Sequence, residues 1–274
     1  MALTKNKFFV ISARQFPYQD VINTLNFGYF YIKKFYNAGK IEAFFNSVKK
    51  RSRLYGGRPC GNEISFSYRN VEYLNAKGIG VMLTLSNHYF NEHAYAATIP
   101  ILERLENNLN SVTTVNDDLA LRIKQDFPLF KRKASVIKLI NTLDGVHQAL
   151  ELYDSVMLHP NLNDNTEFLQ SVDCKDKIVL FANSRCLYKC SNPICYKYIS
   201  KQMITEGKWD KSTCNNKENP DIKQNYTIFN LDEERFNGYS SFKLVPVPNE
   251  HLQMYYQGYS VTSLTRTEGT TKIG

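Results

Sequence analysis

Gly80-Val-Met-Leu-Thr-Leu85, Glu92 to Asn107, Ser111-Val-Thr-Thr-Val115, Leu119 to Gln125 and Ala134-Ser-Val-Ile137 follow one another along the chain. Three short apolar runs alternate here with two helix-like runs. The short runs are too brief for helices, rich in Val, Ile and Leu, and suit strands buried on both faces. Glu92–Asn107 sets Ile99, Leu102 and Leu105 at helical spacing and ends in an Asn-rich stop. Asn116-Asp117-Asp118 offers good N-cap chemistry to the second helix. Alternation of this kind predicts an α/β fold with a mostly parallel sheet.

The same rhythm extends outward. Upstream, Phe8–Ala13 and Arg53–Gly56 read as strands, and Tyr18–Ala38 and Ile41–Val48 as helices. Downstream, Ser155–Leu158, Ile178–Ala182 and Ser241–Val245 read as strands, with helices at Asn141–Tyr153 and Thr166–Leu169. About eight strands favour a (β/α)8 TIM-like barrel over an open doubly wound sheet. No G-x-G-x-x-G or G-x-x-x-x-G-K-[ST] occurs, so a phosphate-loop version has no support. The expected organisation is one domain over 1–262, with a Cys-rich loop at about 184–216 after the seventh strand, and a small, polar, flexible tail over 263–274.

Of 274 residues, 43% are hydrophobic, which excludes wholesale disorder. No apolar run approaches the roughly 18 residues of a membrane helix. The first residues lack the apolar core of a signal peptide. A cytoplasmic chain is the expectation, and its six cysteines then point to metal or catalysis before disulfides. The net charge of +8 (34 Lys+Arg against 26 Asp+Glu) suits nucleic acid or an anionic small molecule without proving either. Lys49–Arg53 and Lys131–Lys133 are basic clusters that usually mark a solvated surface.

Barrel active sites lie at the C-terminal strand ends. Tyr55, Arg58, Asn87, His88, Asn116, His159, Asn183 and Lys243 fall at those ends. Each alone reads as a turn or cap residue; together they would make a polar mouth. His159, before Pro160, is the best acid–base candidate. Asn87, Asn116 and Asn183 would orient a polar ligand, Arg58 and Lys243 would meet an anion, and Tyr55 and Tyr196 would stack a ring. His88 and His93 stand five residues apart, poor spacing for joint ligation on a helix.

The densest chemistry is Cys186, Cys190, Cys195 and Cys214, spaced C-x3-C-x4-C-x18-C. Thiolates are soft ligands, and four of them can hold a [4Fe–4S] cluster. Zinc is the alternative, although its usual C-x2-C knuckles are missing. A third reading has no metal at all. Arg185, Tyr188, Lys189 and Tyr196 would surround the cluster. Cys60 and Cys174 read as ordinary small residues.

Several motifs, in order, resemble a known group. They are Tyr55-Gly56-Gly57-Arg58, Lys77-Gly-Ile-Gly80 with Thr84-Leu-Ser-Asn87, Ser111 to Asp117, Ala134-Ser-Val136, Asn183…Cys186…Cys190 and Gly238-Tyr-Ser-Ser-Phe-Lys-Leu244. The chain is similar to the collagenase-like peptidase family U-32 and its relatives over about residues 5–260. The resemblance implies a TIM-like barrel with a Cys-ligated [4Fe–4S] cluster, and oxygen-independent hydroxylation of RNA bases or quinone precursors. It also allows a partner subunit that supplies electrons or substrate binding. Peptidase chemistry fits less well, because no Ser/His/Asp or Cys/His set stands at a recognisable spacing. The family's Gly-Arg after Phe-Lys is replaced here by Val245-Pro-Val-Pro248, and the Cys spacing differs from the hydroxylase members.

Overall fold

The computed structural model describes residues 8–12, 32–37, 53–56, 68–76, 78, 80–190, 193–205 and 227–245. Within them the strands are β1 (Phe8–Ser12), β2 (Ile32–Asn37), β3 (Gly80–Thr84), β4 (Ser111–Thr114), β5 (Lys131–Ala134), β6 (Ser155–Met157), β7 (Ile178–Phe181), β8 (Asn183–Ser184), β9 (Thr227–Ile228) and β10 (Ser241–Leu244). The helices are α1 (Tyr68–Ala76), α2 (Glu92–Ala96), α3 (Ile99–Leu105), α4 (Asp117–Asp126), α5 (Leu143–Leu150), α6 (Thr166–Ser171) and α7 (Cys195–Thr205). The fold is α/β with a barrel-like parallel sheet. Its six consecutive strands β3-β4-β5-β6-β7-β10 are joined by β1 against β10 and β2 against β3, and β1 also pairs with β2. β8 and β9 form a separate antiparallel ribbon. Among the described residues no helix is long and apolar enough to cross a membrane.

The strands form where they do because their side chains have somewhere to go. All four residues of β7 and of β4 are buried, and Val81, Met82 and Leu83 of β3 join them in one core with Val156, Val179, Leu180 and Phe242. Helix starts are set by side-chain caps. Asn91, Asn116, Thr142 and Asn165 each accept a backbone N–H at the start of α2, α4, α5 and α6.

Several expectations need correction. Residues 32–37, expected inside a helix over Tyr18–Ala38, are the strand β2, held by β1 on one side and β3 on the other. Two ladders of backbone bonds override the local helical pattern there. Arg53–Gly56, expected as a strand, is a turn followed by irregular backbone. The expected strand Ala134–Ile137 starts earlier, at Lys131, and gives way to a 3-10 turn over Val136–Lys138. Register decides this, since Ser111 to Thr114 pair with Lys131 to Ala134. Arg132, expected on a solvated surface, is instead drawn in by Asp154, which accepts from its backbone N–H (2.8 Å) and its guanidinium (2.9 Å). The single helix expected over Glu92–Asn107 is two, because Pro100 has no N–H to continue the ladder. The expected helix Ile41–Val48 and the tail 263–274 lie outside the described residues.

Candidate functional site

The segment after β7 builds the site. Ala182 donates its N–H to Lys243 O and accepts from Phe229, and the chain then enters β8. A tight turn follows, with Tyr188 N–H on Arg185 O and Cys190 N–H on Leu187 O. Lys189 sits there at φ 62°, a conformation few side chains adopt. It is held by donating its N–H to Asn161 Oδ1 (2.7 Å), while the Tyr188 hydroxyl donates to Asp164. The turn carrying Cys186 and Cys190 is thereby docked on the 3-10 turn Pro160–Asp164 that leaves β6. Cys190 and Cys195 are buried and Cys186 is half-buried. Cys195 opens α7, where the unsatisfied N–H groups of a helix start favour negative charge. The fourth expected ligand, Cys214, lies outside the described residues, as do Arg58 and Cys60.

α7 is a helix inside the region expected to be a loop, and it reaches across to the end of β3. Asn87 Nδ2 donates to Ser200 O (3.0 Å), and the Ser200 hydroxyl lies 3.0 Å from His88 Nδ1 and 3.2 Å from His88 N. His88 is held below its ordinary pKa by burial first and by the Lys197 charge second, against a hydrogen bond to the Ile137 backbone. Ser200 is fully buried, so this Ser–His pair is a latch between α7 and β3 and not an exposed nucleophile.

His159 is the residue the structure singles out. It follows β6, is 8% exposed, and caps the turn onto which the cysteine segment docks. Its Nδ1 accepts the Asn161 N–H (3.3 Å), so the neutral ring carries its proton on Nε2. Burial lowers its pKa from 6.5 to about 4, so it is neutral at pH 7. Nε2 is buried and has no hydrogen-bond partner among the described residues. Asn163, four residues on, spends Nδ2 on Phe181 O (2.7 Å) and leaves Oδ1 buried and without a partner among the described residues. His159 follows β6 and Asn163 bonds the end of β7, and a buried donor or acceptor left unmade costs about 1–3 kcal/mol, so these two atoms are candidate ligand contacts.

The other candidates are placed differently. Asn87 is fully buried. Its amide donates to Arg53 O and Ser200 O and accepts from Tyr89 N. Asn116 caps α4. Asn183 is buried and grips Val245, accepting from its N–H (2.7 Å) and donating to its carbonyl (3.1 Å). Tyr55 is 1% exposed, within the protein interior. Lys243 sets its ammonium 5.5 Å from the Phe181 ring centroid, and Tyr196 packs half-buried on α7. Sequence reasoning missed Asn163 and Ser200. Asn163 follows the His159-Pro160 signal closely, whereas nothing in the sequence marked Ser200.

No protein-family model matches the chain. No curated protein matches it either. Among solved structures it is similar to that of the U32 peptidase Mk0906, with a TM-score of 0.56 and 12% identity. The likeness covers 90% of this chain and 95% of that one. At this identity it is the path of the backbone that is shared, and the chain therefore has a U32-like fold.

Proposed function

We propose that the chain is a TIM-like (β/α)8 barrel protein in which Cys186, Cys190, Cys195 and Cys214 hold a [4Fe–4S] cluster. Beside it, the chain would carry out an oxygen-independent hydroxylation or related redox modification of an RNA base or another anionic or aromatic substrate. The observation that carries this reading is the docking of the Cys186–Cys190 turn on the segment capped by His159, whose Nε2–H is buried and unpartnered among the described residues. Thiols are the donor set for such a cluster, and two of the three described ones are shielded from water.

When bound, the cluster supplies one-electron transfer. The chain's own residues would do the rest. His159 donates a hydrogen bond from Nε2 to a substrate oxygen without carrying charge, and Asn163 Oδ1 accepts from a substrate N–H or O–H. Lys243 attracts an anionic group, and Tyr196 offers a ring for stacking. Hydroxylation of a C–H with oxygen from water releases two electrons and two protons. A partner subunit or a second substrate of oxidant class has to accept the electrons.

A second reading has its own support: Asn87, Asn116 and Asn183 are committed to holding the fold. The chain would then be a metal-stabilised binding module without catalysis. Peptidase chemistry rests on the name of the structural neighbour, and the buried Ser200 gives it no nucleophile.

Iron, sulfide and visible absorption of anaerobically purified protein separate these readings. About four iron and four sulfide per chain support the cluster. One tightly held zinc without sulfide overturns the redox reading and leaves the cysteine segment as a clasp.

A further inference from the structure

At the end of β7 opposite to the one from which the cysteine segment departs, α5 lies beside the stretch that enters the strand. His147 Nε2 on α5 is 3.0 Å from Asp173 Oδ1, and the Cys174 thiol follows next in the chain. Among the described residues, the ligand atoms of these three side chains lie within 4.8 Å of one another. The spacing is close to what a tetrahedral ion needs, since metal–ligand bonds of about 2.0–2.3 Å place neighbouring donors roughly 3.3–3.8 Å apart. We propose that His147, Asp173 and Cys174 bind a divalent transition-metal ion of the zinc class, with water completing the shell, and so clamp α5 to the segment leading into β7.

The donor set argues for this class. Imidazole and thiolate favour zinc, cobalt or nickel over magnesium or calcium, and a thiolate with a carboxylate neutralises the ion's two charges. The supports are fixed. His147 rides on a capped helix, and Cys174 precedes a 3-10 turn that it closes by accepting the Lys177 N–H (3.0 Å). The adjacent cation does not compete: Lys175 Nζ is turned to Asn237 O (3.2 Å) and stands 5.3 Å from the Tyr239 ring centroid. His147 and Asp173 are exposed, so an ion reaches them directly, and Cys174 lies partly sheltered behind.

Cobalt(II) is the probe, titrated into the full chain and followed by thiolate-to-metal absorption and by binding calorimetry. The wild type should show a thiolate band that Cys174→Ser abolishes, and His147→Ala should weaken binding by about tenfold or more. Both changes lie at a partly exposed surface, and circular dichroism checks that each variant is folded. His147→Ala on the exposed helix face keeps the test valid should Cys174→Ser fold poorly. Identical cobalt spectra and affinities for the wild type and His147→Ala would overturn the proposal. So would a thiolate band that survives Cys174→Ser undiminished, because the bound metal would then belong to the other cysteines.

Discussion

Replacing Gly56 by alanine would put a Cβ 2.1 Å from Ser86 O, 2.5 Å from Ser86 C and 2.8 Å from Asn87 N. All three are backbone atoms, so no side-chain rotation relieves the clash, and the Tyr55-Gly56 segment must move off the end of β3. The contact holds more than packing. Asn87 N–H donates to Leu54 O (2.8 Å) and Asn87 Nδ2 donates to Arg53 O (2.7 Å). Asn87 is fully buried, so water does not replace what is lost. Overpacking costs about 1–3 kcal/mol, and each weakened buried hydrogen bond about 1 kcal/mol more, so the expected loss is roughly 3–5 kcal/mol. In a chain of this length that is a fall in Tm of roughly 6–20 °C. Urea and thermal unfolding of Gly56→Ala, followed by circular dichroism, measure it. Gly78→Ala is the control: Gly78 has φ +74° but nothing within 4 Å of its would-be Cβ, so only the backbone cost of about 1–2 kcal/mol applies. A Gly56→Ala protein no less stable than Gly78→Ala would refute the close-approach argument.

Three further outcomes follow from the geometry. The unfolded His159 takes up a proton below pH 6.5, while the folded one resists until about 4. Its contribution is therefore intact above pH 6.5 and lost as the pH falls from 6.5 to about 4, by about 3 kcal/mol in all. His159→Gln should flatten stability measured against pH across that window, and an unchanged slope would show that the ring is not shielded. Asn183→Ala removes both bonds to Val245 and should cost roughly 2–3 kcal/mol in urea unfolding, even with no substrate present. Full stability would mean that Asn183 is available to a ligand after all. Tyr153→Phe deletes the hydroxyl that donates to Asp117 (2.8 Å) and should lower stability by about 1 kcal/mol. The Tyr153 phenol, held above its ordinary pKa by burial and by Asp117, should resist ionisation in alkaline absorbance titration of the folded wild type.

The strands that could be read from the sequence are those whose burial is written into their composition. Ile178–Phe181, Ser111–Thr114 and Gly80–Thr84 are apolar or β-branched and bounded by polar residues. Lys131–Ala134 and Ile32–Asn37 were hidden because three of four residues in one, and two of six in the other, are Lys or Arg. Their strand character comes from the neighbours that pair with them. A residue's chemistry was legible in the same partial way. Asn at a strand end signals a polar demand, but whether a ligand or a backbone meets it depends on what lies within 3 Å.

By itself, the sequence determined the alternation of strands and helices, hence an α/β sheet, and the gathering of Cys186, Cys190 and Cys195 just beyond β7. Both are local: one is a period in hydrophobicity, the other a spacing along the chain. Only the tertiary structure decided that Asn87 and Asn183 are spent on Ser200 and Val245, that His159 stays neutral with its Nε2–H buried, and that His147 meets Asp173 and Cys174. Those outcomes join residues 26 to 113 positions apart. Partnership, burial and the pKa that follows from them are set by which surfaces pack together.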